Sequence, residues 1–247
     1  MNVYIYDGSF DGLLTLIYKS YHNRQSPNKI ISSQEEQTDF LATYINIITD
    51  GEKAKKVYDA IIQKISYDAL SNVYYAFLSE QPGCEMSIFN YIRLGFKIGK
   101  SIDDYLSKDI VLGIHDLSTK VNRERHAMLG LIRFVELDRG LLYAKFGPKY
   151  NVLSLVSPHF AKRLASEKWV IFDENRELAS IFNGEEWYIT EIKLQNDFEI
   201  SDKEKLFQSL WKNYFDNISI KERKNLKLQQ KNMPKRYWKY LTEKKLE

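Results

Sequence analysis

Apolar and polar positions alternate along Met1–Tyr6, and this spacing predicts a short β-strand. The next residues, Asp7-Gly8-Ser9, supply a turn and an N-cap for a helix with an apolar face of Leu13, Leu14, Ile17 and Tyr18. The helical period then recurs near residues 34–49, 52–65, 67–80, 85–99 and 102–109. The first half of the chain is therefore predicted to be mainly helical.

The hydrophobic period changes in the second half. A helix is predicted from Leu117-Ser118 through Val121, Met128 and Ile132, and two strands between residues 132 and 146 should turn at Asp138-Arg139-Gly140. Pro158 is well suited to the first turn of a short helix, HFAKRL. Three more strands are predicted at Trp169–Phe172, Leu178–Phe182 and Glu186–Thr190, with Asn183-Gly184 typical of a type I′ hairpin. Helical patterns return from Asp202 to the end.

These elements predict an α+β fold, with N-terminal and C-terminal helices around a small antiparallel β region in the middle of the chain. The 247 residues suit a single domain over 1–247. A sub-division is also expected: 1–116 mainly helical, 117–200 α+β with hairpins, and 201–247 a basic helical C-terminus. No internal repeat is found.

Charge is distributed unevenly along the chain. Residues 1–200 hold 23 Lys and Arg against 27 Asp and Glu, whereas residues 201–247 hold 13 against 6, so the net charges are −4 and +7. Positive charge concentrated at one end is expected of a surface that meets a polyanion.

The basic C-terminus also carries interleaved aromatic residues. Lys and Arg suit phosphate contact, and an aromatic ring can stack on an unpaired base. The nucleic-acid-binding residues predicted on this basis are Arg223, Lys224, Lys227, Lys231, Lys235, Arg236, Tyr237, Trp238 and Lys239. The alternative is that the aromatic side chains pack on the core while the basic ones are only solvated. Binding to a membrane surface is not expected, because this segment lacks a strong apolar face.

Candidate chemistry lies in the middle of the chain. The segment VNRERHAMLGLIRF places His126 and, if the helix persists, Arg133 on one helical face, and the segment SPHFAKRL does the same for His159 and Arg163. WVIFDENR adds Asp173 and Arg176 at a strand end. His126, or His159 oriented by Asp173, would act as acid or base, while Arg133, Arg163 and Arg176 would clamp a phosphate. Surface polar pairs and turn residues are the alternative interpretation of each.

Several classes of chemistry are disfavoured. The sequence has no HExxH spacing, no GxxxxGK[ST], no GxGxxG and no GxSxG. Its one cysteine, Cys84, excludes an internal disulfide and a multi-cysteine metal or iron–sulfur site. Near a predicted helix start, Cys84 is either a thiol of lowered pKa or a small packing residue. We expect no metal, no cofactor, no membrane span, no signal peptide and a cytoplasmic location.

Three stretches carry a family resemblance. In order, they are VNRERHAMLGLIRFVELDRGLLYAKFGPKYNVLSLVSPHFAKRL, WVIFDENRELASIFNG and ERKNLKLQQKNMPKRYW. With YDGSFDGLLTLIY and FNYIRLGFKIGK, they resemble the probable DNA metabolism, or putative DNA repair, family of unknown-function domains. The likeness covers nearly the whole chain.

The resemblance implies a bacterial protein that is paired with a radical-SAM partner thought to act on DNA. In some members it implies fusion to a uracil-DNA-glycosylase-like domain. It supplies no catalytic residues, so the candidate residues, with Asn225 added, depend on their chemistry alone. One cysteine cannot ligate a CxxxCxxC-type cluster, so radical chemistry would come from the partner.

Three hypotheses follow, in decreasing order of preference. The first is an accessory protein of DNA metabolism or repair that binds nucleic acid through its basic C-terminal face. The second is an enzyme that acts on DNA or a damaged base, with His126 or His159 as acid or base. The third is a protein–protein adaptor for the radical-SAM partner.

Overall fold

Helices and strands are mixed in both units of the structure, a computed structural model that describes residues 1–33, 40–137, 140–193, 200–218, 220, 223 and 225–244. The units are Met1–Asn122 and Arg123–Glu247. The predicted α+β class is confirmed. The division lies close to the sub-division predicted after residue 116, while a single domain over 1–247 stays a prediction.

The first unit contains a small parallel sheet with helices packed on it. Its elements are β1 (Asn2–Tyr6), α1 (Phe10–His22), β2 (Lys29–Ser32), β3 (Thr43–Asn46), α2 (Gly51–Lys64), α3 (Tyr67–Leu78) and α4 (Cys84–Ile98). The strand order is β2-β1-β3, and β1 is parallel to both neighbours. The buried faces of α1, α2, α3 and α4 form the hydrophobic core of this unit.

Two helix predictions in the first unit are wrong. The helix expected over 34–49 is replaced at its C-terminal end by β3, and residues 34–39 lie outside the described residues. The helix expected over 102–109 is a single 3-10 turn at Ile102–Asp104. Strand β2 was not predicted. Each missed strand has four residues, and so short an apolar run does not separate strand from helix.

The second unit contains a five-stranded mixed sheet. Helix α5 (Asp109–Leu131) begins in the first unit and is followed by β4 (Val135–Glu136), β5 (Leu142–Phe146), α6 (Leu153–Arg163), β6 (Trp169–Asp173), β7 (Leu178–Phe182) and β8 (Trp187–Glu191). Next come α7 (Asp202–Ile218), α8 (Leu226–Asn232) and 3-10 helices at Lys235–Tyr240 and Thr242–Lys244. Within the described ranges, no helix has the length and apolar character needed to cross a membrane.

The predicted small antiparallel region is wrong in two respects. The chain begins with a parallel sheet, and the second sheet, in the order β4-β5-β6-β7-β8, contains a parallel pair, β5 and β6. These strands are parallel because α6 lies between them in sequence and returns the chain to the end of the sheet at which β5 began. The other pairs are antiparallel, and the strands predicted near 169, 178 and 186 are confirmed.

Local geometry also differs at two predicted turns. Pro158 lies inside α6, which begins five residues earlier at Leu153, because Leu153, Val156 and Phe160 form a buried stripe. Phe182 pairs with Trp187, so the β7–β8 loop has four residues and is not a two-residue type I′ turn. The Asn183 side chain stabilises this loop by accepting from the backbone N–H groups of Glu185 and Glu186, both at 2.9 Å. In the turn predicted at 138–140, residues 138 and 139 lie outside the described residues.

Gly12 in α1 is required by a close approach of side chains. The carboxylate of Asp7 accepts from the Ser9 backbone at 2.9 Å and from the hydroxyls of Ser9 and Thr49 at 2.7 Å. These bonds fix Asp7 and lower the pKa of its carboxyl group, although burial opposes that shift. A Cβ at position 12 would overlap Asp7 Oδ1 and lie 2.9 Å from Thr49 Oγ1.

We expect Gly12→Ala to lower the free energy of unfolding by about 1–3 kcal/mol, since the new methyl group must displace a hydrogen-bonded carboxylate. Gly113→Ala in α5 is the matched control, because nothing lies within 4 Å of its Cβ position. That control should stabilise the protein by about 0.5–1 kcal/mol. Denaturant unfolding of both variants measures the difference, and equal effects would contradict the close contact.

Candidate nucleic-acid interface

A buried carboxylate, Glu124 of α5, anchors the basic C-terminal segment. It accepts hydrogen bonds from the backbone N–H groups of Lys149 at 2.9 Å and Tyr150 at 2.7 Å. The hydroxyl of Tyr237 donates to the same carboxylate, and Arg236 Nη2 lies 3.4 Å from Oε1. A buried charge needs several such partners to offset its desolvation. Glu124 therefore joins α5, the 149–150 loop and the last 3-10 segment.

Tyr237 is a packing residue in this arrangement. It is 2% exposed, and burial, followed by the bond to Glu124, raises the pKa of its hydroxyl. The Arg236 guanidinium lies 4.6 Å from the centre of the Tyr237 ring, with its side chain 55% exposed. Tyr237, one of the two aromatic residues predicted to bind nucleic acid, thus faces the core, while its neighbour Arg236 remains partly open to solvent.

A second carboxylate, Glu174, neutralises part of the basic segment. It contacts the ammonium of Lys239 and the hydroxyl of Tyr240, and Lys145 Nζ lies 3.3 Å from Oε2. Burial acts to raise the pKa of Glu174, but the bonds from Lys239 and Tyr240 outweigh it and hold that pKa below its ordinary value. The charge of Lys239 is therefore already compensated within the protein.

Trp238 is half-buried, and its polar atom is satisfied. The indole Nε1 donates to the backbone carbonyl of Met233 at 2.8 Å. The Lys244 ammonium lies 5.1 Å from the centre of the Trp238 ring and 5.4 Å from that of Phe215. The ring is thus held between a turn of its own segment and a cation.

Arg133 contacts protein groups in place of the predicted phosphate. Helix α5 ends at Leu131, so Arg133 lies past its end and does not share a helical face with His126. The Arg133 guanidinium donates to the carbonyl of Gly130 at 2.6 Å and to Glu243 Oε1 at 2.9 Å. Burial acts to raise the pKa of Glu243, but its bond with Arg133 keeps that pKa low.

Arg176 and Asp173 form a structural ion pair. Asp173 is fully buried, and its Oδ2 lies 3.0 Å from Arg176 Nη1. The same guanidinium donates to the carbonyls of Pro148 at 3.2 Å and Lys149 at 3.0 Å. Arg176 thereby holds the loop whose backbone N–H groups bind Glu124.

The two histidines predicted to be catalytic lie on different helices. His126 is exposed on α5. His159 is half-buried on α6 with its ring 5.1 Å from that of Phe160, and the exposed Arg163 follows one turn later. The contacts described for Asp173 join it to Arg176 and Asn175, which differs from the predicted pairing with His159.

The structure places a histidine–carboxylate pair elsewhere, in the first unit. His115 Nε2 lies 2.8 Å from Asp103 Oδ1, which also accepts from the Tyr91 hydroxyl at 2.5 Å. Burial, followed by Asp103, raises the pKa of Tyr91. Sequence reasoning missed this cluster because its members lie on α4, the 102–104 turn and α5, and no helical period connects them. The three side chains hold that turn against two helices.

Neither a reactive thiol nor a metal centre is found in the described ranges. Cys84 is buried, and its burial, with Glu85 beside it, raises the thiol pKa to about 12. A thiol of that pKa is protonated at neutral pH and is a poor nucleophile. No group of three or more His, Cys, Asp or Glu side chains there is arranged to hold a metal ion.

Six of the predicted cations in the described residues are exposed, and four of these lie apart from the carboxylates that bind Arg236 and Lys239: Arg223, Lys227, Lys231 and Lys235. Among the residues that the structure describes, no carboxylate forms an ion pair with them. Lys224 lies outside the described residues. Along residues 223–242, seven Lys and Arg occur with no Asp or Glu. We call Arg223, Lys227, Lys231 and Lys235 the basic strip.

A groove of about 990 Å³ lies between α7 and α8, next to the basic strip. Its apolar walls are Phe215, Ile218, Ile220 and Leu228. Amide side chains also line it: Asn225, Gln229 and Asn232. Its charged lining consists of Arg223, Lys244, Asp216 and Glu243. The groove combines apolar surface, hydrogen-bonding amides and a basic rim.

A family model described as DUF4130, a domain of unknown function, matches residues 82–243, more than half of the chain. The chain belongs to this family. The matched range includes residues of both units and every site residue predicted from the sequence. No curated protein matches the sequence.

Replacing the anchoring carboxylate tests its structural role. Glu124→Gln should lower the free energy of unfolding by about 2–3 kcal/mol, because an NH₂ group then faces donors and the charge-assisted bonds are lost. Glu185→Gln, on an exposed loop, is the control and should change it by less than about 0.5 kcal/mol. Denaturant unfolding measures both, and a Glu124→Gln protein as stable as the control would contradict the anchor.

The Glu174 cluster predicts a pH dependence. Because the folded pKa of Glu174 is lowered, its contribution is fully present above the unfolded pKa, about 4.3, and is lost as pH falls through the folded pKa. We therefore expect Glu174→Gln to be less stable than wild type at pH 7, and this difference to shrink below about pH 4. Thermal unfolding between pH 7 and pH 3 measures it. A difference that is constant with pH would disagree with this sign.

Proposed function

We propose that the protein is an accessory factor of DNA metabolism or repair that binds nucleic acid through the basic strip and works with a radical-SAM partner. The observation that carries the proposal is the separation of charges in the C-terminal segment. Lys239 is compensated by Glu174, and Arg236 lies beside Glu124, whereas no carboxylate of the described residues forms an ion pair with the basic strip. Exposed cations without carboxylate partners retain their attraction for phosphates.

The local sequence favours a polyanion over a small anion. Lys227, Lys231 and Lys235 recur at intervals of four residues. The first two lie on α8 one turn apart, about 6 Å along the helix. A row of cations at this interval favours a chain of phosphates.

DNA as the nucleic acid, and a radical-SAM protein as the partner, come from the family resemblance. The order of the quoted stretches, with their NMPKRYW ending, supports both. One cysteine supports the assignment of any radical chemistry to the partner, since a cluster of the CxxxCxxC type needs three thiolates.

Replacing three lysines tests the role of the basic strip. The triple variant Lys227→Ala/Lys231→Ala/Lys235→Ala should bind a DNA duplex with a weaker salt dependence. The magnitude of the slope of log K, the association constant, against log[salt] should decrease by about 2–3, because each lost phosphate contact removes about 0.9. Fluorescence anisotropy over a salt series measures the slope. All three side chains are exposed, so the fold should be unaffected.

Lys239→Ala is the matched control for this experiment. Its ammonium is bound to Glu174, so the slope should change by well under one unit although a lysine of the same segment is removed. A triple variant with the wild-type slope, or a control with as large a loss per lysine, would sink the proposal.

A further inference from the structure

The groove between α7 and α8 has a composition that phosphate binding alone does not explain. A surface that contacts only a sugar–phosphate backbone needs cations and small polar groups. This groove has four apolar side chains in its walls, of which Ile218, Ile220 and Leu228 are each more than half exposed. Exposed apolar surface in a concave site indicates a ligand with an apolar face.

The amide side chains add a second requirement. Asn225, Gln229 and Asn232 are spaced four and three residues apart and lie on the same face of α8 as Leu228. Asn225 Oδ1 accepts from the backbone N–H of Leu228 at 3.0 Å and caps the helix. In the described part of the chain, the side chains of Gln229 and Asn232 have no hydrogen-bond partner, so each offers a donor and an acceptor to a ligand.

The charged side chains of the groove indicate what kind of ligand it can bind. Of its two carboxylates, Glu243 is 5% exposed and bound to Arg133, while Asp216 is exposed on α7. Arg223 lies in the lining, and Lys231, three residues after Leu228, is turned about 60° from it around the helix. A flat ring with an apolar face, polar edges and an attached phosphate matches these groups, which is the chemistry of a nucleotide.

We propose that the groove receives unpaired bases of single-stranded DNA while the basic strip holds the flanking phosphates. This inference rests on the proposed function and specifies its substrate. In a duplex, the faces of the bases are stacked and not available to the walls of the groove. The preferred form is therefore single-stranded, with affinity contributed by the bases as well as by the backbone.

Three probes test the proposal: a 12-nucleotide oligothymidylate, an abasic 12-mer with the same phosphates, and a 12-base-pair duplex. The wild-type protein should bind oligothymidylate about 5- to 20-fold more tightly than the abasic strand at equal salt. Leu228→Ser should remove most of that preference while leaving abasic binding unchanged. Gln229→Ala should reduce it about 2- to 3-fold.

Leu226→Ser is the matched control. Leu226 and Leu228 are on the same helix and are 51% and 53% exposed, but only Leu228 is among the groove-lining residues. The control should keep the wild-type preference, and circular dichroism should show the same fold for both variants.

The outcomes separate the two proposals. If the protein binds none of the three probes, the proposed function and this inference are overturned together. Equal affinity for the abasic and thymidylate strands, or equal losses in Leu226→Ser and Leu228→Ser, overturns the inference alone and leaves phosphate binding intact.

Discussion

The hydrogen bonds of Glu124 determine the position of the basic C-terminal segment. A carboxylate with its side chain 4% exposed is stable only with donors around it, and here they come from a loop backbone and from Tyr237. The bond to Tyr237 reaches across 113 residues of sequence. Because the 3-10 segment is held at Tyr237, the chain that leads back from it to α8 and its lysines starts from a fixed point.

The same anchor explains how the charges of the segment are divided. Residues near the anchor, Arg236 and Lys239, lie beside the carboxylates Glu124 and Glu174. Residues farther back along the chain, on α8 and before it, meet no such acid among the described residues and stay exposed. The positive charge without a carboxylate partner therefore lies at Arg223, on α8 and at Lys235, ahead of Arg236 and Lys239 in sequence. Counting charges along the sequence treats these two groups as one.

Sequence patterns predicted the elements that local periodicity determines. The strands near 169, 178 and 186 and helices α1, α2, α3 and α4 were predicted from such patterns, and in α2 the buried residues Ala54, Val57 and Ile61 keep the helical spacing. Short parallel strands such as β2 and β3 were missed because their partners are remote in sequence. The parallel pairing of β5 and β6 was missed for the same reason, since a strand pattern does not specify its neighbour.

The sequence predicted which residue types the candidate site contains, but not which partners those residues contact. Arg133 and Arg176 were predicted to clamp a phosphate and Tyr237 to bind nucleic acid, but their contacts in the structure are with Glu243, Asp173 and Glu124. One signal for the anchor was present: Glu124 lies three residues after Val121 and four before Met128, both buried. A carboxylate on a buried stripe requires partners.

That reassignment changes which part of the segment is suited to a ligand. Interleaved lysines and aromatics in KRYWKY first indicated base stacking, yet Tyr237 is buried and the Trp238 indole donates to the backbone carbonyl of Met233. Their role is to hold the segment in place, which frees α8 from packing: its seven residues include no buried one. Because no residue of α8 is buried, Leu228 and Gln229 are available to a ligand in the groove, and the proposed nucleic-acid strand would contact apolar, amide and cationic side chains together.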